Sequence, residues 1–232
     1  MSKKINQSGK CLALTTIWAT QLQYYGKYSF PSKNIFFFIF LFVKIFNKQL
    51  VLNSTSFITR VHSFLFPTHI NLVFSIPFIS TSFFSNFYRF LFLIWNYNVN
   101  RLLSLKLDFY LEKNQYFSTS FLKSYILYLI YNKINSPRKI FNLLILLLKR
   151  NKSQLILLIS KDGFKISKFI GFKIQLKGRY EITKNEMSSY LLVKNGKINS
   201  TNLNIKIHFM NHNFYTKLGT SNLKIWMFYS FK

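Results

Sequence analysis

Residues 171–179 run Gly171-Phe172-Lys173-Ile174-Gln175-Leu176-Lys177-Gly178-Arg179, and their alternation decides the fold. Phe172, Ile174 and Leu176 take every second place, with Lys173, Gln175 and Lys177 between them. A period of two sends apolar groups to one face of a strand and amines to the other. The same period returns in Ile205, Ile207 and Phe209 against Lys206 and His208. It returns again in Leu223, Ile225 and Met227 against Lys224, Trp226 and Phe228. Together these segments predict an antiparallel sheet with one apolar face to bury and one cationic face outside.

Upstream of Leu155 the period is helical. Phe121, Leu122, Tyr125, Ile126, Leu129 and Ile130 recur at three and four, which predicts one buried helix face within residues 118–150. Ser136-Pro137 reads as an N-cap followed by a first-turn proline, so a second helix is expected to start there. Its apolar face is Phe141, Leu144, Ile145 and Leu148, and Lys149-Arg150 close it at the favourable end of the dipole. The change of period predicts an α+β fold: two helices packed on an antiparallel sheet in a C-terminal domain over 116–232.

The chain has 232 residues and a formal net charge of +27, with only five acidic residues. Clustered Lys and Arg neutralise phosphates and release their counterions, so a polyanionic partner is expected. Asp108, Glu112, Asp162, Glu181 and Glu186 form no pair suited to acid–base work, which argues against an enzyme and against a small-molecule substrate. Cys11 is the single cysteine, so there is no disulfide framework and no Cys-based zinc site. His208 and His212 stand four apart, but on a strand that spacing need not converge, and no Cys or acid completes a tetrahedral set. No cofactor is expected. Phe, Ile, Leu, Tyr, Lys and Asn dominate while Ala, Gly and Pro are scarce, the usage of a very AT-rich gene such as many organelle genomes carry.

The motifs of the last third carry a family resemblance. The strand 171–179 is followed by Gly196-Lys197, the alternating run Leu203 to Phe209, the turn Leu218-Gly219 and the closing strand Leu223-Lys224-Ile225-Trp226-Met227-Phe228. In that order they resemble the C-terminal domain of the universal small-subunit ribosomal protein S-three. That family has a G-I-K-V/I-x-x-x-G-R strand, an E-G-R/K-like turn, an alternating strand, a T-x-x-G turn and a closing V-K-V-W-I-F strand. The opening, residues 1–30, resembles the family's G-Q-K-x-N/H-P-x-G-x-R-L-G-I start. Lys4, Asn6, Gly9, Leu12 and Trp18 fall in register, with Gln7, Cys11 and Ala13 in place of Pro, Arg and Gly.

The resemblance implies a constituent of the small ribosomal subunit. Its partners would be small-subunit rRNA in the head, neighbouring small-subunit ribosomal proteins, and mRNA where it enters the subunit. It also implies a K-homology module at 31–115, ahead of the C-terminal domain. No G-x-x-G occurs in the chain, so that region is read as divergent or replaced and no nucleotide-clamping role is carried over. Arg138-Lys139 match the family's basic pair at the mRNA entrance, while the later family lysine falls on Asn142. The expected RNA-binding residues are Lys3, Lys4, Arg138, Lys139, Lys173, Lys177, Arg179 and Lys224, with Trp226 or Tyr180 to pack on sugar or base. Residues 1–10 have neither a secretory apolar core nor the Arg-rich amphipathic pattern of an imported presequence. A mitochondrial ribosome supplied by synthesis inside the organelle is the simpler reading. The rival is an organellar membrane protein with spans at 33–50 and 70–96. A span needs about 20 predominantly apolar residues, and Lys44, Lys48 and Pro77 interrupt these runs.

Overall fold

The computed structural model describes residues 60–65, 69–76, 104–111, 117–131, 136–150, 155–179, 187–199, 202–216 and 219–231. Gly9, Leu41 and seven helical residues between 85 and 95 are also described. Lys3, Lys4 and Tyr180 lie outside these residues, as does most of the 33–50 stretch. The chain divides into two units, and the break within the described strands and helices falls between Phe121 and Leu122.

The unit that precedes the break holds a three-stranded sheet in the order β1 (Arg60–Leu65), β2 (His69–Ile76), β3 (Ser104–Leu111). β1 and β2 are antiparallel; β2 and β3 are parallel. Parallel neighbours need a long crossover, and residues 77–103, with their helical positions, supply it. The parallel register sets Leu72 beside Leu107 and Phe74 beside Phe109, whose rings stack 5.5 Å apart. Leu72, Phe74, Leu91 and Trp95 are all buried. The layout is α+β. The stretch 70–96 therefore opens as a paired strand, and no helix among the described residues is long and apolar enough to cross a membrane.

The second unit holds both predicted helices, apart from the first three residues of the earlier one. α1 (Thr119–Tyr131) is capped by Ser118, whose Oγ accepts the Phe121 amide hydrogen at 3.2 Å. It buries Leu122, Ile126 and Leu129, the stripe seen in its period. α2 (Pro137–Arg150) begins where the Ile140 amide donates to the Ser136 carbonyl at 3.0 Å. Proline loses nothing there, because a first-turn amide has no partner inside the helix. α2 buries Pro137, Ile140, Phe141, Leu144 and Leu148.

The sheet of this unit has five strands: β4 (Leu155–Ser160), β5 (Gly163–Gly178), β6 (Ser189–Gly196), β7 (Ile205–Thr216) and β8 (Gly219–Phe231). The order is β4-β5-β8-β7, every pairing is antiparallel, and β6 also pairs with β5. β8 occupies one edge of β5 from Ser167 to Lys177, so β4 and β6 share the other edge end to end. α2 packs against β6. Phe172, Ile174 and Leu176 of β5 sit across from Met227, Ile225 and Leu223 of β8, and all six are at most 2% exposed.

A bulge at Ile170 shifts the β5–β8 register between Phe169 and Gly171. The extra residue reverses the alternation, so Ser167 and Phe169 stay on the buried face with Phe172. Beside it, Gly196 (φ +81°) faces Gly171, and the Lys197 amide donates to the Ile170 carbonyl at 3.2 Å. A Cβ on Gly171 would stand 2.7 Å from the Asn195 carbonyl oxygen; one on Gly196 would overlap the Ile170 carbonyl. Only a pair of glycines lets the two strands come this close.

One strand departs from the sequence expectation. The register of β7 with β8 sets Ile205, Ile207 and Phe209 on the face of Phe228 and Trp226, opposite Ile225 and Met227. Lys206 and His208 are the residues that share the main core face. The cause is β8, which carries apolar groups on both sides. Ile205, Ile207 and Phe228 form a second small core, with Ile170, Ile198 and Trp226 packed on it.

Candidate nucleic-acid interface

Antiparallel partners point to the same side, so the registers assign the outer face residue by residue. Its rows run across β6, β5, β8 and β7. One row is Lys194, Lys173, Trp226, Phe209; the next is Leu192, Gln175, Lys224, Asn211; the third is Tyr190, Lys177, Asn222, Asn213. Strands lie about 4.8 Å apart, so four lysines fall within a few strand spacings of one another. The predicted residues Lys173, Lys177 and Lys224 are brought together here. Lys194 joins them through its pairing with Lys173, and the continuous apolar run Leu191-Leu192-Val193 before it gives no alternation that would mark its face in the sequence.

The lysines are not equivalent. Lys177 and Lys194 are exposed, whereas Lys173 and Lys224 are half-buried. The Lys173 ammonium lies 4.6 Å from the centre of the Trp226 ring, and Phe209 meets the same indole at 5.2 Å. A cation over an indole is favourable, about 0.5–1 kcal/mol at an exposed site. The indole is thus engaged by two of its own neighbours, Lys173 and Phe209.

Arg179 ends β5 differently. Its carbonyl accepts from the hydroxyls of Thr216 at 3.1 Å and Ser221 at 3.4 Å, fixing the backbone where Gly178 turns. Its Nε is buried without a hydrogen-bond partner among the described residues. Arg138 and Lys139 are exposed in the first turn of α2, which carries no acidic residue. Cations there oppose the helix dipole.

At the far end of the outer face, Asn222 Nδ2 donates to Asn211 Oδ1 at 2.6 Å and also to Asn213 Oδ1. Tyr215 follows on the same side of β7 and is 76% exposed. Sequence reasoning misses these amides and Tyr215 because Asn and Tyr are abundant throughout. Among the described residues no three His, Cys, Asp or Glu side chains come together to hold a metal. Asp162, in the β4–β5 turn, accepts a hydrogen bond from Lys165, and that bond and charge hold its carboxyl below the ordinary value.

Scanned against models of known protein families, the chain matches none. It is 31% identical over 244 residues to the small ribosomal subunit protein uS3m of Chondrus crispus, covering 99% of this chain and 95% of that protein. Identity at that level along nearly the whole length agrees with the ordered strand and turn motifs now seen on one sheet. The chain belongs to the uS3m family of small-subunit ribosomal proteins.

Proposed function

We propose that the protein is a structural, non-catalytic constituent of the mitochondrial small ribosomal subunit and binds rRNA through the outer face of its C-terminal sheet. The carrying observation is the convergence of Lys173, Lys177, Lys194 and Lys224 from three strands in a chain of net charge +27. Such a surface gains affinity for RNA by releasing condensed counterions. Lys3, Lys4 and Arg179 complete the proposed RNA-binding set, and neighbouring ribosomal proteins the partner set.

Arg138 and Lys139 form a second contact, proposed to meet mRNA where it enters the subunit. Both are exposed, and their place in the first turn costs the helix stability that an RNA phosphate would restore. The amino-acid usage supports synthesis inside the organelle.

Sedimentation of the native protein from a mitochondrial lysate in mild detergent tests the proposal. Co-migration with small subunits, abolished by RNase, is the expected result. Migration with membrane complexes regardless of RNase would overturn it.

A further inference from the structure

The Asn211–Asn213–Asn222 end of the outer face differs in chemistry from its lysine rows. An amide nitrogen carries two hydrogens, and Asn222 spends both, one on each neighbouring Oδ1. That leaves the Asn222 Oδ1 as an acceptor and the Asn211 and Asn213 amide nitrogens as donors, without partners among the described residues. The arrangement is fixed in advance by its own hydrogen bonds. A phosphate only accepts, so it can use the two donors but leaves the Asn222 oxygen unmatched. The edge of a nucleobase offers donors and acceptors side by side and satisfies all three amides.

Tyr215 supplies the other element of base recognition. It lies two residues from Asn213 on the same face of β7, about 7 Å along the strand, and the residue is 76% exposed. Unlike Trp226, it has no lysine laid over it among the described residues. Lys177 stands in the row of Asn222 and Asn213, and Lys224 in the row of Asn211, where each can take a flanking phosphate. Tyr190, 55% exposed, closes the row on β6.

We propose that this end of the sheet captures an unpaired RNA base, stacked on Tyr215 and read by the Asn211–Asn213–Asn222 amides, with Lys177 and Lys224 on its phosphates. The inference rests on the RNA-binding reading above and narrows it to RNA whose bases are splayed out of the helix. A paired base has its Watson–Crick edge occupied and its faces covered, so neither the amides nor the tyrosine can reach it.

The test compares the full-length protein on a 12-nucleotide mixed-sequence RNA strand and on the duplex of that strand with its complement, at one salt concentration. Tighter binding of the single strand is expected. Tyr215→Ala and the Asn211→Ala/Asn213→Ala pair should each weaken single-strand binding roughly five- to a hundredfold, the range for losing one stacked base, and leave duplex binding unchanged. Tyr215→Phe should keep the preference, because it keeps the ring. Equal loss on both RNAs, or none on either, would overturn the base-capture site. Equal wild-type affinity for strand and duplex, with a normal salt slope, would overturn it while RNA binding stands. Absence of salt-dependent binding to either RNA would remove both.

Discussion

A methyl group on Gly196 would have to share space with the Ile170 carbonyl, in a backbone conformation that L residues rarely adopt. Gly163 has a similar positive φ (104°) but open space around it, so it separates the two penalties. Gly163→Ala should cost only the conformational strain, about 1–3 kcal/mol. Gly196→Ala should cost that plus the overlap, and urea midpoints should rank the two; equal midpoints would mean the strands can part without loss. Side-chain roles on the outer face follow a similar local logic. In the sequence Lys173 reads as a simple phosphate ligand, because a lysine opposite a tryptophan is invisible until the register is known. Once Lys173 meets Trp226, part of its charge serves the protein itself.

The helices were the most legible elements. The start of α2 is written in local chemistry, Ser136-Pro137, whereas the Ser118 cap of α1 shows only in the structure; the buried stripes of both lie in a period that needs no partner to interpret. Strands are harder, since alternation states that two faces differ and not which one meets the core. β7 illustrates this: its apolar residues are plain in the sequence, but their side depends on the register with β8. β5 was legible after Gly171 and not before, because the bulge at Ile170 inverts the parity and moves Phe169 to the face a strict alternation denies it. Arg138 and Lys139 mark an element whose stability and proposed contact conflict. Replacing both with Gln should stabilise α2, by about 0.3–1 kcal/mol for each misplaced charge, while weakening RNA binding. A double variant that loses both stability and affinity would assign the pair a structural role instead.

For the molecule as a whole, charge is the dominant sequence-level signal, and it points to the partner class without locating the surface. The surface needed the pairing of β5 with its sequence neighbour β6 and with the distant β8. Replacing Lys177, Lys194 and Lys224 with Gln should lower the slope of log affinity against log salt by about one for each phosphate no longer neutralised. All three lie on the outer face, so circular dichroism should remain that of the wild type. An unchanged slope would move the RNA-binding surface elsewhere on the chain.

The central position of β8 also bears on how the protein is made. Both of its neighbours, β5 and β7, precede it in the sequence, so a nascent chain carries them with their shared place still empty. Until Gly219–Phe231 is synthesised, Ile174 and Leu176 have no Ile225 and Leu223 across from them, and Ile205 and Ile207 have no Phe228. Two apolar surfaces are thus left open together and closed by one late segment. Vectorial synthesis makes the last strand the keystone of both cores.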